Sequence, residues 1–214
     1  MNIDFCFFHI EKCMGSSLRI IFYNYFKKIY KSKFINYKIN LTNNFDDFKH
    51  FKVMLCHCAY NHQNVTSQFS KNCFSVTCVR EPLSRFISHY YHFSYPKNNK
   101  KIHELTDTEM LYQLKINGSN LLTTRLSGNT DNYQTAIDNI KSINCILVME
   151  NINTDLIKLN KLLNKHFNKN YQLKLEHTNK NKINKNELDF LFLEKYHTHF
   201  ENDINLYNHI LNEF

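Results

Sequence analysis

Two short segments hold most of the residue types that could do chemistry on an anion. The first is His9-Ile10-Glu11-Lys12-Cys13-Met14-Gly15-Ser16-Ser17-Leu18-Arg19, where an apolar run gives way to a helix-period run. Lys12 supplies charge and Gly15 lets backbone approach closely. Ser16 and Ser17 add hydroxyls where the opening N–H groups and the macrodipole of a helix point. Ser16 taken alone could equally be an N-cap. The second segment is Val79-Arg80-Glu81-Pro82-Leu83-Ser84-Arg85-Phe86-Ile87-Ser88-His89-Tyr90-Tyr91. Arg80 ends a strand-like run, and Pro82 suits the first turn of a helix. Ser84, Arg85 and Ser88 then stand three and four apart, as neighbours on a helical surface. An arginine at a strand's carboxyl end near a helical serine suits a phosphate or sulfate group, which the guanidinium grips in a planar fork that lysine cannot copy. The competing reading of Arg80 is a surface ion pair with Glu81.

The charge balance points the same way. The chain has 27 basic and 19 acidic residues, a formal +8, which calls for an anionic partner: nucleic acid, a phosphorylated cofactor or an acidic glycan. Only four of the basic residues are arginine (Arg19, Arg80, Arg85 and Arg125); the rest are lysines scattered among many asparagines, a bias that reads as compositional drift. A Walker A loop is absent, since the lysine precedes the glycine, and this disfavours an ordinary nucleoside-triphosphate enzyme. Cys56-His57-Cys58 resembles a metal motif, but in a strand the cysteines point one way and His57 the other, and no second pair stands at zinc spacing. No metal is expected. The odd number of cysteines, seven, mostly in apolar runs, reads as reduced core residues.

Elements must carry these two segments. The chain has 214 residues, 43% of them hydrophobic, enough for one domain with a real core. No apolar run approaches the roughly 18 residues of a membrane span, and the start lacks the basic region and cleavage site of a signal peptide. A soluble, cytoplasmic, single domain over residues 1–214 is expected. Nearly continuous apolar runs at 3–10, 53–58, 74–79 and 145–149, with a weaker one at 171–175, read as strands buried on both faces. Between them, Leu18, Ile21, Phe22, Tyr25, Phe26 and Ile29 fit a helix. So do Leu156, Leu159, Leu162, Leu163 and Phe167, and later Leu188, Leu191, Phe192, Tyr196 and Phe200. The expectation is a three-layer α/β fold with a central, mostly parallel sheet flanked by helices. Its ligand would sit beyond the carboxyl ends of the strands.

At these residues the chain resembles a family. His-Ile-Glu-Lys-Cys-Met-Gly-Ser-Ser-Leu is similar to the His-Ile-Pro-Lys-Thr-Gly-Gly-Thr-Ser-Leu loop of carbohydrate sulfotransferases of the heparan sulfate 2-O-sulfotransferase type. The segment from Arg80 resembles that family's Arg-Asp-Pro-x-x-Arg-Phe-x-Ser-x-Tyr. Weaker likenesses follow in order at 121–128, 136–150, 177–182 and 202–207. The resemblance implies a P-loop-kinase-like sulfotransferase fold and the co-substrate 3′-phosphoadenosine 5′-phosphosulfate (PAPS). By the same resemblance, Lys12, Gly15, Ser16 and Ser17 hold the 5′-phosphosulfate, Arg80 and Ser88 the 3′-phosphate, and Thr178 and Lys180 belong to a loop closing over the nucleotide. It implies a glycan hydroxyl as acceptor. Lys12 would stabilise the departing oxygen and His57, or else His62, would take the acceptor's proton. Glu11, Cys13, Met14 and Glu81 depart from the pattern, and Glu11 sets an acid beside an anion site. Two other classes stand beside this one: a nucleotide- or glycan-binding relative without catalysis, and a basic nucleic-acid-binding domain. The second is weakened by the scarcity of arginine and the absence of any nucleic-acid motif, so no nucleic acid is expected as partner.

Overall fold

Ile3–Phe8 (β1) is a run that only a strand covered on both faces can bury, and apart from Asp4 its residues are at most 1% exposed. In the computed structural model, which describes residues 3–31, 35, 36, 51–56, 69–128, 130–174 and 187–214, β1 is the middle strand of five. The others are β2 (Ile35–Asn36), β3 (Val53–Cys56), β4 (Phe69–Val79) and β5 (Cys145–Val148), in the order β2-β3-β1-β4-β5. All four pairings are parallel. The α/β fold read from the apolar runs is therefore present, and every described strand pair is parallel.

The order matters for function. The chain leaves β1 towards β2 and β3 but leaves β4 towards β5, so the winding reverses between β1 and β4. Such a reversal opens a crevice at the carboxyl ends of the two strands. Phe8 stands opposite Thr77, whose Oγ1 donates to the Phe8 carbonyl at 2.9 Å, which sets the turn after β1 level with the turn after β4.

Among the described residues the helices longer than one turn are α1 (Gly15–Phe26), α2 (Pro82–Phe93), α3 (Asp107–Asn117), α4 (Leu121–Leu126), α5 (Tyr133–Ile140), α6 (Ile152–Phe167), α7 (Glu187–Glu194) and α8 (Glu201–Glu213). α1 buries Leu18, Ile21, Phe22, Tyr25 and Phe26 as its spacing predicts. Phe22 and Phe26 place their rings 5.0 and 4.4 Å from Phe5 of β1. Phe86, Ile87 and Tyr90 of α2 belong to a second apolar cluster, with Met110, Leu193 and Phe200 among its members. Among the described residues no helix is long and apolar enough to cross a membrane. Cys6, Cys13, Cys73, Cys78 and Cys145 are free thiols.

Two expectations need correction. Residues 171–174 form no strand. Side-chain amides of α6 take their backbone groups instead: Asn164 Oδ1 accepts from Tyr171 N at 3.1 Å and Asn160 Oδ1 from Leu173 N at 2.9 Å. The helix-period set at 188–200 holds in part: Tyr196 and Phe200 are buried and Phe192 packs against the second cluster, but Leu188 and Leu191 of α7 are 53% and 52% exposed. Asp189 faces inwards in their place, accepting from Tyr91 Oη at 2.7 Å and lying 2.7 Å from His103 Nδ1. Satisfying that buried carboxylate outweighs hiding two leucines.

One carboxylate ties three helices together. Asp203 of α8 is 0% exposed and accepts from Leu122 N at 3.0 Å and Thr123 N at 2.7 Å, at the start of α4. The fully buried Arg85 of α2 lies within its electrostatic reach. Burial lifts the Asp203 carboxyl from 3.8 to about 6, against Arg85 and the backbone donors. Between these values the folded state holds a proton that the unfolded chain releases. The proton-linked part of its stability is therefore complete below about pH 4 and is lost as pH rises through 6, while the two backbone hydrogen bonds remain at pH 7. Asp203→Ala would strand two buried N–H groups and a buried guanidinium, at a cost of about 3 kcal/mol. Urea unfolding at pH 7 measures this, and a loss below about 1 kcal/mol would mean that the three helices do not depend on it.

Candidate anion-binding site

The turn leaving β1 is held by unusual backbone. Lys12 (φ 65°) and Met14 (φ 60°) are both in the left-handed region, where a non-glycine residue costs about 1–2 kcal/mol. Met14 is the N-cap of α1, and its side chain offers no oxygen to the helix's opening N–H groups. The first helical bond runs from Leu18 N to Met14 O at 3.1 Å. Ser16 is therefore not the N-cap; it lies exposed in the first turn, with Ser17 buried behind it. Gly15 does permit a close approach, but the group that approaches is the buried ring of His9. A Cβ at Gly15 would collide with the His9 ring.

α2 begins differently. The Glu81 carboxylate accepts from Leu83 N at 2.9 Å and Ser84 N at 2.7 Å, so this helix start is already occupied by an acid. Glu81 is thereby spent on capping, and Arg80 does not pair with it. Instead, Arg80 Nη1 donates to the Lys12 carbonyl at 3.3 Å, across the crevice between the two turns. Burial first, and then the Arg80 charge, lowers the Lys12 ammonium below its ordinary value. Among the described residues neither Lys12 nor Arg80 makes an ion pair. Two cations are thus held side by side at the open start of α1, an arrangement that an oxyanion would relieve.

The acid that threatens such a site is restrained. Arg125 of α4 grips the Glu11 carboxylate with both Nε, at 3.2 Å, and Nη2. This bidentate pair joins residues 114 apart, and no local pattern in the sequence announces it. Cys13 is 0% exposed, and burial pushes its thiol up to about 12, so it packs and offers a ligand nothing.

The remaining predicted residues divide clearly. Ser88 is buried on α2 and shares no hydrogen bond with Arg80. Arg85 is an internal brace, donating through Nη2 to the Gly118 carbonyl. His57, His62, Thr178 and Lys180 lie outside the described residues. His89, which by sequence could be a packing residue or an acceptor contact, has its Nδ1 2.8 Å from Asn117 Oδ1. A cleft of about 250 Å³ along β5, lined in part by Cys145, Asp155 and Phe214, shares no residue with either turn. Among the described residues no group of three or more His, Cys, Asp or Glu side chains could hold a metal ion.

No protein-family model matches this chain, and no curated protein is significantly similar to it.

The contact between His9 and Gly15 gives a test of the turn. Gly15→Ala should lower stability by about 1–3 kcal/mol, because a buried ring must move. Adding His9→Ala should recover part of that loss. Thermal unfolding of the three variants measures it; a neutral Gly15→Ala would mean that the ring does not hold the turn.

Proposed function

We propose that the crevice between β1 and β4 binds PAPS and that the protein is a sulfotransferase acting on a carbohydrate hydroxyl. The observation that carries this reading is the pairing of Arg80 with the Lys12 backbone. It joins two cations at a helix start that lacks a side-chain cap, while Glu11 is held by Arg125. In this reading Lys12, Gly15, Ser16 and Ser17 receive the 5′-phosphosulfate, and Arg80 with Ser88 receives the 3′-phosphate. Thr178 and Lys180 would close over the nucleotide. A P-loop-kinase-like sheet is part of the same proposal.

The co-substrate supplies an activated sulfuryl group, which passes in line to the acceptor oxygen. An S–O bond forms as the bridging S–O bond breaks, and 3′-phosphoadenosine 5′-phosphate departs. Lys12 places positive charge where the departing oxygen becomes negative, and His57 takes the hydroxyl proton. The net positive charge suits an acidic glycan as acceptor. A binding protein without transfer is the second reading, favoured by Cys13, a buried thiol where the resembling loop has a hydroxyl.

Thermal unfolding with 3′-phosphoadenosine 5′-phosphate, against AMP and ATP, tests the binding step. At one hundred times Kd a native-state ligand adds about 2.7 kcal/mol, or roughly 5–10 °C for a chain of this size. A shift specific to the 3′-phosphorylated nucleotide is expected; equal shifts, or none, would refute the assignment. Arg80→Ala should weaken this nucleotide by about ten- to hundredfold.

The Glu11–Arg125 pair gives an independent check by titration calorimetry. Arg125→Ala should weaken the nucleotide roughly three- to tenfold by releasing an acid beside Lys12. The same change in a Glu11→Gln background should have little effect. Equal losses in both backgrounds would show that Arg125 acts otherwise.

A further inference from the structure

β5 is the outermost described strand on its side of the sheet, and its outer edge meets a carboxylate rather than a further strand. Asp155, in the first turn of α6, accepts from Val148 N at 2.8 Å through Oδ2. A four-residue strand whose last N–H is already taken offers little to an incoming peptide strand, so this edge suits a small ligand better. Beside it lies the cleft of about 250 Å³. That volume is just under the roughly 300 Å³ at which ligand pockets begin, so it has room for a small molecule only.

The lining is apolar around one buried charge. Ile146 and Val148 of β5 are buried along it, and the exposed Leu211 and Phe214 extend it towards solvent. Asp155 is only 9% exposed, yet among the described residues its Oδ1 receives no hydrogen bond. The cation paired with that oxygen, Lys158 Nζ, stands 3.9 Å away on a side chain 63% exposed, a surface pair that stabilises little. A carboxylate buried to this degree with half its acceptor capacity unused is costly, and a donor entering the cleft would relieve it. Burial first, and then Asp155, pushes the Cys145 thiol on the same lining up to about 12. The cleft thus holds a negative field in a chain whose net charge is +8.

We propose that this cleft binds a small organic cation, a primary ammonium on an apolar body, with the ammonium donating to Asp155 Oδ1 and the body lying against Ile146, Val148 and Phe214. The inference does not depend on the anion-binding reading of the crevice, with which the cleft shares no residue. Asn144, also on the lining, has its Oδ1 committed to Ser75 N at 2.7 Å and Ser75 Oγ at 3.0 Å, so Asp155 is the acceptor that orients the ligand. An anionic ligand would meet the Asp155 charge directly. A divalent metal would find a single carboxylate, since among the described residues no group of three or more His, Cys, Asp or Glu could hold one. A neutral ligand of the same shape gains burial but no charge-assisted bond, so the ammonium carries the selectivity.

The test is an amide NMR titration of the full chain at pH 7 with 2-phenylethylamine, and with 2-phenylethanol and 3-phenylpropionate as neutral and anionic probes of similar shape. Saturable shifts centred on Cys145–Val148 and Asp155 are expected for the amine, with a Kd of about a millimolar. The alcohol should bind about tenfold more weakly and the acid should have no effect. Asp155→Asn keeps an oxygen for Val148 N and should weaken the amine about tenfold while leaving the alcohol unchanged. Lys158→Met removes the competing ammonium from an exposed position and should strengthen the amine roughly two- to threefold. That variant and the comparison of probes leave the buried carboxylate in place, so they decide the matter even if Asp155→Asn does not fold. Equal binding of the three probes, no shift with the amine, or shifts centred away from β5 would overturn the proposal. Changes in the same signals with protein concentration alone would also overturn it, by assigning the cleft to a second copy of the chain.

Discussion

Holding Lys12 and Arg80 together at the ends of adjacent parallel strands is the constraint around which the rest of this structure is arranged. Like charges in a half-buried crevice repel, and a nearby carboxylate would be the ordinary remedy. Four acids stand in this region, and each is committed elsewhere. Glu11 is gripped by Arg125, Glu81 caps α2, and Asp203 holds the start of α4. Glu150 accepts from Glu81 N at 3.3 Å and from Tyr207 Oη at 3.0 Å. The positive field at the crevice is therefore left open to a ligand by hydrogen bonds that bind the protein's own carboxylates.

The two helix starts show the same division of labour. α1 and α2 both follow a central strand, and both present their N-terminal dipoles near the crevice. At α2, Pro82 takes the first turn and the Glu81 carboxylate satisfies two N–H groups, which stabilises the helix and closes it to anions. At α1, an apolar N-cap in left-handed backbone provides no such acceptor. The first helix thus gains less from its own chain and keeps more for a bound anion. At the second turn the anion-binding capacity rests on a side chain, Arg80, rather than on backbone.

Much of this was legible in the sequence because the signals are local. The apolar runs of β1 and β4 and the three-and-four spacing of α1 report burial directly, and the strand-turn-helix junctions mark where charged residues collect. Legibility failed where a distant partner decides. The phase of α7 is set by Asp189 meeting Tyr91 and His103, and Glu11 is neutralised by a residue 114 positions away. Residues 171–174 have strand composition, yet asparagine side chains on α6 take the hydrogen bonds a neighbouring strand would have supplied. His89 was visible as a helical histidine, but its support by Asn117, Gln113 and Ser94 spans two helices and the chain between them.

The departures of the first turn from the resembling loop then have a consistent physical sense. Cys13 is buried in the core, so it offers a ligand neither the hydroxyl of the resembling loop nor a reactive thiol. Met14 occupies a left-handed position that glycine would adopt without strain, and it does so while packing against the core, which offsets part of the cost. Glu11 brings a charge, and Arg125 answers it. The turn presents its left-handed backbone, the lysine and a helix start without a side-chain cap. The shape of the turn, rather than any one hydroxyl on it, is therefore what the surrounding packing preserves.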